Sequence, residues 1–149
     1  MPGWVETAVA DYLKRQPPEI KVELVAIKAE PRGNDSRKPA ATETLLAREC
    51  QRIRTRLPPR CKLVVLDERG EDLTTRALAE RLGAWQVQAE PVAIVIGGPD
   101  GIDARLRGEA QQTIRLSSLT LPHALVRVLL AEQLYRAWSL NAQHPYHRA

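Results

Sequence analysis

Phenylalanine is absent from this chain, and aromatic residues make up only 4% of its 149 residues. The core must therefore consist mainly of leucine, valine, isoleucine and alanine. No apolar run approaches the roughly 20 residues that a membrane-spanning helix requires. The first residues have neither a basic flank nor a long apolar run, so we expect no signal peptide and no membrane partner.

Cysteine is also scarce, with only Cys50 and Cys61 present. The two are not spaced as a CxxC motif, which fits free thiols in a reducing cytoplasm better than a disulfide framework. His144 and His147 form an HxxH pattern, but no third cluster of ligands accompanies them. We therefore expect a cytoplasmic protein without a metal site.

Among the charged residues, arginine dominates the cations, with 17 arginines against five lysines and a formal net charge of +4. The planar guanidinium group suits phosphate because it donates two parallel hydrogen bonds. This composition permits a nucleic-acid partner without demonstrating one.

Apolar strand-like runs alternate with segments of helical periodicity, which predicts one α/β domain over residues 1–149 with a mainly parallel sheet. In the first predicted helix, Trp4–Arg15, we expect Trp4 to face inward. In the last predicted helix, Pro122–Ser139, we expect Tyr135 and Trp138 to face inward. The predicted helices are Trp4–Arg15, a helix from Thr42 to the residue before Pro58, Thr74 or Thr75 to Gln88, Ile102–Gln112 and Pro122–Ser139. The predicted strands are Val22–Ile27, Lys62–Leu66 and Val92–Ile96, with a brief extended piece at Ile114–Leu116.

Two polar segments interrupt this pattern. Glu30–Ala41 carries two prolines and a glycine, which predicts a long mobile loop, and such loops are often functional. Asp67–Asp72 follows a buried strand, and we expect it to form a polar turn.

Three turns follow predicted strands, at Leu66–Asp67, at Gly97–Gly98 and at Leu116–Leu121. Ligands in open parallel sheets bind beyond the carboxyl ends of the strands, so these turns are candidate binding elements. Gly97 and Gly98 permit close approach of a ligand to the backbone, although a tight turn alone would also explain them. Ser117, Ser118 and Thr120 could contact a ligand, or Thr120 could simply cap the next helix.

The last helix and the chain end carry a second polar group. His123 and Arg127 lie four residues apart and so share a helix face, whereas Arg136 could form a salt bridge with Glu132. The segment His144–Arg148 combines two histidines, a tyrosine and an arginine, which is the chemistry of base stacking and phosphate contact.

Segments 92–102, 116–139 and 144–148 closely resemble the ribosomal RNA large-subunit methyltransferase H family, whose members are small SPOUT-class enzymes. The resemblance covers the whole chain and is densest from Val92 onward. It implies a homodimer with a C-terminal trefoil knot. It also implies methyl transfer from S-adenosylmethionine to N3 of a pseudouridine in 23S ribosomal RNA, within the assembled ribosome.

The resemblance also maps the cofactor site onto the three turns identified above. The implied cofactor-binding residues are Leu66, Gly97, Gly98, Leu116, Ser117, Ser118, Leu119, Thr120 and Leu121. For the reaction, we expect His123, Tyr146 and His147 to position the acceptor base. Arg127, Arg136 and Arg148 are expected to contact phosphate or stabilise charge, with the tail reaching the partner subunit's pocket.

Family members begin with a short apolar strand ahead of the segment that resembles Met1–Trp4, and this sequence starts after it. Either the start of the sequence has been placed too late or the first family strand is truly absent, and we expect the former. Its absence would leave unpaired backbone groups and an apolar slot beside the sheet.

Three other functions remain open at this point. The enzyme could act on another RNA, such as transfer RNA, or the fold could serve as a ribosome-binding module without activity. A generic nucleotide-binding protein is disfavoured because the sequence lacks the GxGxxG fingerprint.

Overall fold

The structure is a computed structural model that describes residues 3–27, 39–98 and 100–148, without the side chains of 39–41. A parallel three-stranded sheet is flanked by helices, which confirms the predicted α/β class. The implied knot stays a prediction. In chain order the elements are α1 (Gly3–Arg15), α2 (Pro39–Arg56), β1 (Lys62–Asp72), α3 (Thr75–Gln88), β2 (Val92–Ile96), α4 (Ala104–Glu109), β3 (Gln112–Arg115), α5 (His123–Asn141) and a final 3-10 turn (Pro145–Arg148).

The sheet has the order β2-β1-β3, so β1 is its centre. Leu66 of β1 pairs with Ile96 on one side and with Ile114 on the other, both in parallel register. Leu66, Ile96 and Ile114 therefore lie side by side at one edge of the sheet, where β2 and β3 end and β1 becomes irregular.

The central strand buries both of its faces, as its nearly continuous apolar sequence predicts. Val64 and Leu66 pack in one cluster with α3 and α5, through residues such as Leu82. Leu63 and Val65 pack in a second cluster with α2 and α4, where the partners are Cys50, Ile102 and Leu106. The helices thus form a layer on each side of the sheet.

The polar segment after Leu66 differs from the prediction, because β1 continues to Asp72 instead of ending in a turn. Ile114 pairs with both Leu66 and Glu71, so the residues between them bulge out of the ladder. Gly70 makes this return possible, since a Cβ atom there would lie 2.5 Å from the Ile114 carbonyl carbon.

The buried faces of two helices also differ from the prediction. In α1, Val5 is fully buried while Trp4 is 60% exposed. In α5 the buried positions include Leu134 and Ala137, one residue before the predicted Tyr135 and Trp138. Trp138 is half-buried against the core cluster, as predicted, whereas Tyr135 is not part of that cluster. The two rings also pack against each other, with centroids 5.6 Å apart, and against His144 of the tail.

The predicted strand Val22–Ile27 is wrong, because this segment has no strand hydrogen bonding in the structure. Strand β2, at the edge of the sheet, pairs only with β1 among the described residues. A groove of about 660 Å³ is lined both by β2 and by Leu24, Val25 and Ile27. A strand needs a neighbouring strand to pair its backbone N–H and C=O groups. The groove lies between this segment and β2, so the two do not pair.

The predicted loop Glu30–Ala41 falls mostly outside the described residues. Its last three positions, 39–41, are helical, because α2 begins at Pro39 instead of Thr42. Proline is compatible with the first turn of a helix, where its missing N–H has no intrahelical acceptor.

We predict that Gly70→Ala lowers the free energy of unfolding by about 2 kcal/mol, since the new methyl group meets the backbone of Ile114. Gly108→Ala is the matched control, because a Cβ atom there has no neighbour within 4 Å and alanine favours a helix. Equilibrium urea unfolding measures both changes. Equal unfolding curves for the two variants would contradict this account of the bulge.

Candidate active site

The three predicted turns converge on one pocket of about 820 Å³ at the carboxyl edge of the sheet. Of the nine candidate cofactor residues, eight line it: Leu66, Gly97, Gly98, Leu116, Ser117, Leu119, Thr120 and Leu121. The ninth, Ser118, is exposed and does not line the pocket. The pocket therefore forms from segments up to 55 residues apart in sequence, joined by the register of the sheet.

The glycine turn after β2 is shaped by contacts of its own backbone. A Cβ atom at Gly97 would lie 2.8 Å from a side-chain carbon of Ile102 and 2.9 Å from the carbonyl of Gly101. Gly101 has a φ of 85°, and Gly98 and Gly101 form a short antiparallel bridge. Gly98, in contrast, has no neighbour within 4 Å of a Cβ position. Gly97 is thus required by the turn, whereas the space beside Gly98 is open.

The hydroxyl-rich turn after β3 does not cap α5. Pro122 occupies the N-cap position and provides no side-chain hydrogen bond, so the capping interpretation of Thr120 is wrong. The Ser117 hydroxyl accepts a hydrogen bond of 2.9 Å from the Leu119 backbone N–H, which holds the turn in shape. His123, the first residue of α5, lines the pocket beside this turn.

Apart from Asp67, which belongs to a predicted turn, the charged residues at the pocket rim were not among the predicted site residues. Asp67, Glu68 and Arg69 line the pocket because the bulge in β1 directs them toward it. Arg107 of α4 also lines it, and its buried Nε has no hydrogen-bond partner among the described residues. Only their position in the sequence could have indicated that residues 67–69 belong to the site, since they directly follow the apolar run of β1.

Arg127 lies one helical turn after His123 and lines the groove beside β2 instead of the pocket itself. His123, Gly97 and Gly98 line both spaces, so the groove and the pocket adjoin. The predicted pair His123 and Arg127 is therefore present on one face of α5, at the edge of the pocket.

The remaining four predicted residues lie at the other end of α5. Arg136 follows His123 by 13 residues in the helix, which is about 20 Å along its axis. Tyr146, His147 and Arg148 belong to the 3-10 turn that packs back against α5. None of these four lines the pocket of its own chain.

The surroundings of Tyr146 favour its protonated form. Burial raises the pKa of its hydroxyl above the ordinary value, and the neighbouring Tyr12 and the charge of Glu132 raise it further. The hydroxyl is protonated at neutral pH, as in an ordinary tyrosine, and the shift extends this to higher pH. It can donate a hydrogen bond, but it cannot act as a general base at neutral pH.

Comparison with known proteins defines the class of this chain. The family model described as Predicted SPOUT methyltransferase matches residues 1–147, so the chain belongs to this family of methyltransferases.

Individual relatives narrow the comparison further. The chain is 59% identical over 148 residues to the ribosomal RNA large subunit methyltransferase H of Delftia acidovorans. It is 60% identical over 148 residues to the protein of the same name from Acidovorax sp. strain JS42. Each alignment covers 99% of this chain and 92% of the relative.

None of the described helices has both the length and the apolar character needed to cross a membrane. Within the same residues, no group of three or more histidine, cysteine, aspartate or glutamate side chains is placed to hold a metal ion.

We predict that Gly98→Ala weakens the binding of S-adenosylmethionine about tenfold or more while the melting temperature stays unchanged. The methyl group enters open space in the protein and would occupy the place where we expect a ligand to approach the backbone. Isothermal titration calorimetry measures the affinity, and Gly108→Ala is the control. Unchanged affinity in Gly98→Ala would place the ligand elsewhere.

Proposed function

We propose that this protein is a cytoplasmic enzyme that methylates N3 of a pseudouridine in large-subunit (23S) ribosomal RNA within the assembled ribosome. S-adenosylmethionine is the proposed methyl donor. The proposal rests on one observation: the three turns converge on one pocket. The chain belongs to a methyltransferase family and is 59–60% identical to large-subunit ribosomal RNA methyltransferases.

The pocket suits a small ligand that has an aromatic ring and charged groups. Its volume lies within the range of about 300–1,000 Å³ that is typical of small-molecule sites. Leu66, Ile96 and Leu116 offer an apolar surface for an adenine ring. The carboxylates and guanidinium groups of the rim, such as Glu68 and Arg69, match the opposite charges of the donor's methionine part.

S-adenosylmethionine supplies an already activated methyl group, so the protein's main task is alignment. The acceptor nitrogen must be held in line with the methyl carbon at roughly 3 Å, and it must lose its proton. We assign positioning of the base to His123, Tyr146 and His147. Arg127, Arg136 and Arg148 contact phosphate or stabilise the negative charge of the deprotonated base.

The separation of the pocket residues from the tail residues points to a homodimer. The pocket and the tail lie at opposite ends of α5, so one chain does not bring all of them together. In a two-fold symmetric dimer the tail of one protomer can reach the pocket of its partner. The site would then be complete only with two copies of the chain.

The test is methyl transfer from radiolabelled S-adenosylmethionine to intact ribosomes that lack the modification. We expect label in the large-subunit RNA, and mass spectrometry of its fragments should place the methyl group on a pseudouridine. Purified transfer RNA and free 23S RNA serve as parallel substrates. Label in transfer RNA alone would contradict the proposal that large-subunit ribosomal RNA is the substrate. Binding of the donor without any transfer would favour the ribosome-binding module.

A further inference from the structure

The carboxylate of Glu132, in the middle of α5, collects hydrogen bonds from three different side chains. Its Oε1 accepts from Nε of Arg136 at 2.8 Å and from the Tyr146 hydroxyl at 3.2 Å. Its Oε2 accepts from Nε2 of Gln133 at 2.8 Å. The side chain of Glu132 is only 14% exposed, so these contacts replace most of its hydration.

This carboxylate is connected to the tail at several points. The guanidinium carbon of Arg136 lies 5.1 Å from the centre of the Tyr146 ring, and its Nη1 donates to the carbonyl of His147 at 3.4 Å. The edge of Tyr135 meets the Tyr146 ring with centroids 4.5 Å apart. The 3-10 turn is therefore held through a side chain and through its backbone.

The same network reaches the rest of the fold. Gln133, which contacts Glu132, accepts a hydrogen bond of 2.8 Å from the Thr75 hydroxyl at the start of α3. Helix α1 packs against α5, and Gln16 just after α1 donates a hydrogen bond of 3.1 Å to the carbonyl of Ala131, next to Glu132. Glu132 thus joins the tail to a region where three helices meet.

We propose that Glu132 is a positioning residue for methyl transfer: it anchors the C-terminal turn so that His147 and Arg148 are presented in a fixed place to the acceptor base. The inference rests on the function proposed above. Glu132 does not line the pocket, so it acts through the tail instead of touching the donor.

The arrangement is more than an ordinary helix salt bridge. A partly buried carboxylate adds little net stability compared with an apolar side chain, because its desolvation offsets its attraction to Arg136. A salt bridge between positions 132 and 136 would also not require the Tyr146 hydroxyl. The Tyr146 hydroxyl is protonated at neutral pH, as tyrosine ordinarily is, and it donates to Glu132. His147 follows Tyr146 directly, and its backbone carbonyl accepts from Arg136, so the same group of contacts fixes its position.

Glu132→Gln is the test variant, since it removes the charge and keeps the size of the side chain. The chain has only three histidines, so their Hε1 signals can be resolved in the proton NMR spectrum. We expect the His144 and His147 signals to move toward the values of an unstructured peptide in this variant. The His123 signal should stay in place because His123 lies at the other end of α5.

Kinetics provide the second measurement on the full chain with intact ribosomes. We expect kcat of Glu132→Gln to fall about 10- to 100-fold, as for a misplaced positioning group. The Kd for S-adenosylmethionine should change by less than about twofold, because the pocket is untouched. Glu109→Gln, which removes an exposed ion pair with Arg54, is the matched control and should behave as the wild type.

A double variant tests whether the effect passes through the tail. Tyr146→Phe combined with Glu132→Gln should be no slower than the slower single variant, because both remove the same contact. Losses that multiply would overturn the proposal. A fall in kcat with unchanged His144 and His147 signals would also overturn it, as would a matching loss of donor affinity.

These outcomes separate the two proposals. If the wild type transfers no methyl group but the histidine signals respond as expected, the proposed function fails and the anchoring of the tail stands. If the wild type is active and Glu132→Gln changes neither the signals nor kcat, only the role of Glu132 fails.

Discussion

The parallel pairing of Leu66 with Ile96 and Ile114 is the constraint on which the rest of the structure depends. It brings the ends of three strands to one point, although the turns that follow them are far apart in sequence. The turns alone are enough to form a pocket at that point, because each of them extends from the same edge of the sheet. The bulge after Leu66 adds charged residues to the rim without disturbing the central strand.

The second constraint is the length of α5. The pocket lies at the start of this helix, at His123, and the tail follows its last residue, Asn141. A straight helix cannot bring its own ends together, so the tail is available to another molecule. The polar contacts around Glu132 hold the tail in a defined shape at that distance. The same helix thus separates the pocket from the tail, which we propose combine across a dimer.

The sequence predicted the pocket better than it predicted the packing. The turns at Leu66 and Gly97 could be found because each follows an apolar run, and the turn at Leu116 because its hydroxyl residues follow a brief extended piece. The return of Glu71 to Ile114 could not be found, because it depends on a contact 43 residues away. Likewise, the position of Tyr135 could not be found, since its ring packs against His144 and Tyr146 of a tail that periodicity does not include.

The central claim is that two copies of the chain assemble each active site, and complementation in mixed dimers tests it most directly. One variant carries Gly98→Val in the pocket, and the other carries His147→Ala with Arg148→Ala in the tail. Each variant alone should be inactive toward ribosomes. After denaturation and refolding together, we expect about a quarter of the wild-type activity, because half of the dimers then hold one intact site. No recovered activity, with mixed dimers demonstrated by native mass spectrometry, would contradict the claim.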